Sequence, residues 1–112
     1  MDRLILHSAV ITAPGTYSYE VIEPQRARAW LEAAPFTSAI GWTETARALG
    51  ALTGFQINTG NAAVVMDAGE EALVFRIVFP PGVKLPPERM KGRLGITYIT
   101  QHCEIGILRR LT

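Results

Sequence analysis

Between Pro24 and Gly54 both ends of two helices are marked, and this is the tightest constraint the sequence places on its fold. Pro24 suits a first helical turn, where its missing N–H costs nothing, and Pro35 stops the helix it begins. Ala27, Trp30, Leu31 and Ala34 recur on one helical face and leave Arg26, Arg28 and Glu32 to water. "FTSAI" then predicts a short strand. A second helix is predicted from about Thr43, with Ala46, Leu49 and Leu52 or Thr53 buried and Gly54 as its C-terminal stop. Gly50 inside it costs about 1 kcal/mol relative to alanine, which implies close backbone packing there.

The flanks read as strands. Leu4 to Ile11 is apolar at most positions of both alternating sets, as a central strand covered on two faces would be. "APG" turns the chain into "TYSYEVI", a more exposed strand predicted to form a hairpin with the first. "FQIN", "AAVVM" and "EALVFRIVF" predict three further strands joined by "TGN" and "DAG", which makes the middle of the sheet antiparallel. "PERMKG" is a candidate helical turn, and "ITYITQ" with "CEIGILRRL" predicts a last hairpin or a bent strand. The expected fold is α+β: a mixed, mainly antiparallel sheet of five or six strands flanked by two or three helices.

With 112 residues the chain fits one domain, 1–112. Hydrophobic residues at 48% exclude intrinsic disorder, and no apolar run approaches the roughly 18 residues of a membrane helix. A net charge of +1 supplies no global field for duplex nucleic acid, so an anionic ligand needs a local site. Cys103 is the sole cysteine, which excludes an intrachain disulfide and points to a reducing cytoplasm. The opening "MDRLILHSAVITAPG" has an arginine and an apolar run, yet His7 and Ser8 interrupt the run and Asp2 offsets the arginine; it is read as a strand, not a leader.

P-loop, GxGxxG, CxxC and HExxH motifs are all missing, so nucleoside triphosphates, dinucleotides and structural zinc have no motif support. His7, His102 and Cys103 are the candidate metal ligands, but their spacing fixes no coordination geometry, and no metal or cofactor is assigned. Lys84 and the pair Arg109 and Arg110 can meet phosphate or simply face water. The junction "SAIGWTETARALGALTG" is the most pointed feature. A helix start after glycine commonly holds an anion on its unpaired N–H groups, and Trp42 at that start is either a core or interface anchor or a surface for stacking on a base.

In order along the chain, these motifs resemble the small ring nucleases of archaeal viruses, used as type III anti-CRISPR proteins, and their bacterial homologues of the YddF kind. A first strand "LLNAPILTAYG" of bacterial members is echoed by "LILHSAVITAPG", and "SAIGH" by "SAIGW". "GDKALVFRL" corresponds to "GEEALVFRI" at Gly69 to Ile77, and "YEFGLLTR" to "CEIGILRR" at Cys103 to Arg110. The resemblance implies a cytoplasmic α+β homodimer whose two-fold groove binds cyclic tetra-adenylate, and, in an enzyme, metal-independent cleavage by attack of a 2′-hydroxyl.

Carried over by position, the family's "IGH" histidine matches Trp42, which has no proton to transfer in acid catalysis, and its early asparagine matches His7. Pro80 and Pro81 stand where relatives carry a glutamate, and the asparagine-arginine pair survives only as Asn61 followed by Ala62. His7 is therefore the candidate relocated general acid. Ser8, Thr12, Ile40, Gly41, Trp42, Thr43, Thr45 and Lys84 form the expected ligand-binding set. The alternatives are a ligand sponge without nuclease activity, or a dimeric interaction module in which Trp42 and its mate fill the groove.

Overall fold

A computed structural model describes residues 3–7, 13–60, 66–78 and 96–112. Its elements run β1 (Arg3–Leu6), β2 (Tyr17–Ile22), α1 (Pro24–Ala33), β3 (Phe36–Ser38), α2 (Thr43–Thr53), β4 (Glu71–Ile77), α3 (Ile96–Gln101) and β5 (Cys103–Arg110). The strands form one five-stranded mixed sheet in the order β2-β5-β4-β1-β3. The fold is α+β, as expected. β1 runs parallel to both β3 and β4, while β5 is antiparallel to β4 and to β2. The antiparallel ladders, Glu71–Ile77 on Cys103–Arg109 and Tyr17–Ile22 on Ile105–Arg110, are the long ones.

Both helices form where proline and glycine place them. α1 opens on Pro24, buries Ala27, Trp30 and Leu31, and ends at an extended Ala34 because the residue before a proline is pushed out of the helical region. α2 closes on Gly54, whose φ of 75° is left-handed and whose N–H returns to the Gly50 carbonyl. A Cβ at Gly50 would lie 2.7 Å from the Phe55 carbonyl, which is the close approach its presence implied. The helices cover one face of the sheet, where Ile5, Leu73, Phe75, Ile105 and Ile107 pack against Trp30, Leu31, Ala46 and Leu49. Leu4, Leu6, Ala72, Val74 and Leu108 form a second buried cluster on the other face, with Met66.

Four expectations are corrected. β1 and β2 form no hairpin: β5 and β4 lie between them. β1 is buried at Leu4, Ile5 and Leu6 and takes an inner place, whereas β2, exposed from Ser18 to Val21, takes an edge. The sheet's middle is mixed, since the central β4 pairs parallel with β1 and antiparallel with β5. Phe55 to Asn58 is irregular, with Ile57 buried and Phe55 set edge-on to Phe36 at 6.5 Å. "ITYITQ" is helical although its β-branched and aromatic residues favour a strand; packing against α2 overrides that preference, and Ile99 is buried there. Of the predicted strand "AAVVM" only Met66 is described, outside regular structure, and "PERMKG" lies outside the described residues.

Candidate functional site

The parallel register brings two of the expected site segments to one end of the sheet. Ile5 is level with Ser38, and Ala39 N–H donates to the Ile5 carbonyl at 2.8 Å, so His7 and Ile40, each two residues further on, leave the sheet side by side. His7 is exposed. From Ile40 the chain passes through an exposed Gly41 to Trp42, which precedes α2 with an extended backbone, φ −107° and ψ 127°. The first helical bond runs from Ala46 N–H to the Trp42 carbonyl at 3.0 Å. Thr43, Glu44 and Thr45 therefore have N–H groups with no intrahelical acceptor. The Trp42 side chain makes no cap bond to them, since an indole at the cap position carries no acceptor.

The side chains of this turn divide sharply. Thr43 is exposed and Trp42 half-buried, while Thr45 is 2% exposed and its Oγ1 is buried without a hydrogen-bond partner. An orphan hydroxyl of this kind costs about 1–3 kcal/mol. Ile40, one of the expected ligand set, is placed in the core. Its side chain is fully buried in the main core, its N–H donates to Ser38 Oγ at 3.2 Å, and its carbonyl accepts from Gly60 N–H at 2.9 Å. Both backbone groups are spent on holding the turn. Ser8, Thr12 and Lys84 lie outside the described residues. Glu44 sits in the first turn, where its carboxylate favours the helix dipole and opposes an incoming anion.

A concavity opens at the far end of α2. It has a volume of about 590 Å³ and is walled by Val21, Ile22, Leu52, Val78 and Ile105, with His102, Cys103 and Glu104 among its polar lining. Sequence reasoning missed it because β2, β5 and β4 meet there only through their register. Cys103 Sγ donates to the Thr100 carbonyl at 3.5 Å, and burial pushes its thiol pKa up, which keeps it protonated and poorly nucleophilic. Glu104 accepts from Arg76 Nε at 2.7 Å and from the Tyr19 hydroxyl at 2.8 Å, and these bonds hold its carboxyl below the usual range. Among the described residues no three His, Cys, Asp or Glu side chains converge on a metal position. The concavity thus offers apolar walls and a committed carboxylate.

An α+β domain whose second helix starts from the end of the sheet where an exposed histidine emerges is the class that fold and site define. The sequence profile of the STIV B116-like family matches residues 3–80, and the chain belongs to that family. Its fold is similar to that of B116 of Sulfolobus turreted icosahedral virus, with a TM-score of 0.69 and 18% identity over 98% of this chain and 100% of that one. Among curated proteins, no sequence matches.

Proposed function

We propose that the chain binds a cyclic oligoadenylate, the second messenger of type III CRISPR immunity, on the first turn of α2, with the matching turn of a second subunit completing a two-fold groove. One observation carries this reading: the first-turn amides of Thr43, Glu44 and Thr45, which Trp42 does not cap, lie at the same end of the sheet as His7, with the buried Thr45 hydroxyl unpartnered in that turn. Helical amides and their dipole suit a phosphate, and a cyclic ligand with two-fold symmetry suits a paired site. Trp42 supplies a flat apolar face on which an adenine can stack. Gly41 and Thr43, both exposed, flank it, and Ser8, Thr12 and Lys84 are the remaining proposed contacts.

Cleavage, where it occurs, uses His7. A ribose 2′-hydroxyl attacks the adjacent phosphorus and releases its proton to solvent water, the bond from phosphorus to the 5′-oxygen breaks, and the His7 imidazolium gives a proton to that leaving oxygen. The products are a 2′,3′-cyclic phosphate and a free 5′-hydroxyl. Trp42 has no part in the proton transfer, so binding without turnover is the favoured outcome. Incubation with labelled cyclic tri-, tetra- and hexa-adenylate tests this, read by native gel for binding and by chromatography for linear products. Retention without products supports a sponge or sensor, products support the enzyme, and neither supports an interaction module.

A further inference from the structure

β2 has β5 on one side and no described strand on the other. Which of its backbone groups face outward follows from the register. Leu111 N–H donates to the Thr16 carbonyl at 2.7 Å, and these residues are directly opposed when the pairing of Tyr17 with Arg110 is extended by one. Hydrogen-bonded and non-bonded pairs alternate in an antiparallel ladder, so Ser18, Glu20 and Ile22 turn their amides toward β5, and Tyr17, Tyr19 and Val21 turn theirs outward. The usual protections of an edge are thin here. The strand "YSYEVI" has no proline and no basic residue, and its one charge, Glu20, is held by Arg26 at 2.8 Å. Tyr19 leans away from the edge: its ring covers Gly106, where a Cβ would collide with it, and its hydroxyl reaches Glu104. Val21 is 60% exposed.

We infer that this edge pairs with β2 of a second copy, antiparallel about a two-fold axis through Tyr19. Outward-facing residues must meet outward-facing residues, which leaves few registers. With the axis at Tyr19, Tyr17 opposes Val21 of the partner subunit and Ser18 opposes Glu20 of the partner subunit, an aromatic–β-branched pair and a hydroxyl–carboxylate pair. Moving the axis to Glu20 sets two glutamates directly against each other. Moving it to Ser18 leaves Val21 without an opposing strand residue. Charge and side-chain pairing thus select one register. β3, through which the chain enters α2, is at the opposite edge, four strand spacings or about 19 Å away, so this contact leaves the proposed ligand turn open. It is separate from the groove pairing, and a chain that makes both assembles beyond a dimer.

The test is a mixed cross-link in a Cys103→Ala background, which removes the sole native thiol. Ser18 and the opposing Glu20 form a non-hydrogen-bonded pair with Cα atoms about 4.5 Å apart, within disulfide range. Equimolar Ser18→Cys and Glu20→Cys chains under mild oxidation are expected to give the mixed disulfide dimer in at least fivefold excess over either variant alone. Val21→Lys, on an exposed side chain, is expected to weaken self-association at least tenfold by sedimentation. Equal cross-linking in the three samples, no cross-linking, or unchanged association of Val21→Lys overturns the proposal. The cross-link concerns the β2 edge alone and needs no nucleotide, so a failure of ligand binding leaves it interpretable.

Discussion

The Arg3 guanidinium lies over the ring of Trp30, 3.7 Å from its centroid, and so fastens the first strand of the sheet to the first helix. The same guanidinium donates to the Trp30 carbonyl and sits 3.9 Å from Glu71, whose carboxylate also accepts from Trp30 Nε1 at 3.3 Å and from Arg109. Four residues from β1, α1, β4 and β5 share this one polar cluster. Arg3→Met keeps the stem's packing and loses the cation–π contact, worth about 0.5–2 kcal/mol. Trp30→Ala removes a core side chain and is expected to cost about 3–5 kcal/mol. Urea denaturation of the two variants checks this order.

Glu71 and Glu104 make stability sensitive to acid. Hydrogen bonds from Arg109 and from Arg76 hold their folded-state pKa values below 4.5, the ordinary carboxylate value. A depressed carboxylate contributes stability that is complete above its unfolded pKa and is lost as pH falls through the folded one. Melting temperature is therefore expected to fall progressively below about pH 4.5. Glu71→Gln is expected to flatten this slope, and a slope identical to wild type would remove Glu71 from the account.

Tyr19 acts at the other extreme. Burial, reinforced by its bond to Glu104, pushes its pKa from 10.0 up to about 12. Its neutral form is favoured in the folded chain, so the associated stability is whole below pH 10 and is lost as pH rises toward about 12. Tyr19→Phe is expected to abolish that alkaline loss in a pH series of thermal melts.

Gly106 and Tyr19 are expected to be coupled. A Cβ at Gly106 meets the Tyr19 ring, so Gly106→Ala forces the ring off the sheet and is expected to cost about 1–3 kcal/mol. In the background of Tyr19→Ser the same change is expected to cost much less. A double-mutant cycle by chemical denaturation gives the difference.

How far these features were legible in the sequence depended on their range. α1 and α2 were readable almost to the residue because Pro24, Pro35 and Gly54 act locally. The inner place of β1 followed from its two apolar faces. The parallel pairing of β1 with β3 and β4 and the meeting of Arg76 with Glu104 depend on register between strands distant in sequence, and the meeting of Arg3 with Trp30 on how α1 packs against the sheet, neither of which a local pattern encodes. "ITYITQ" misled because its β-branched and aromatic composition carries a strand preference that packing against α2 overturns. At the candidate site the helix start was visible, whereas the full engagement of Ile40 and the orphaned hydroxyl of Thr45 emerged only in three dimensions.

At the ligand turn, Trp42→Ala is expected to weaken cyclic tetra-adenylate binding by about 1–3 kcal/mol, roughly 5- to 150-fold, through lost stacking. Trp42→His restores a proton donor at the proposed ligand turn and, on the proposed function, is expected to raise ring opening by about 10²–10⁴-fold. His7→Ala is expected to remove whatever slow opening the unaltered chain has. Glu44→Gln is expected to tighten binding, because one like charge leaves the turn. Isothermal titration and single-turnover chromatography measure these effects.

The central claim is most directly tested by following the backbone amide signals of ¹⁵N-labelled protein during titration with cyclic tetra-adenylate. The account predicts saturable shifts concentrated at Gly41, Thr43, Glu44 and Thr45 and at the Trp42 indole. Unmoved signals there at millimolar ligand, or shifts confined to the concavity around Val21 and Cys103, would contradict it.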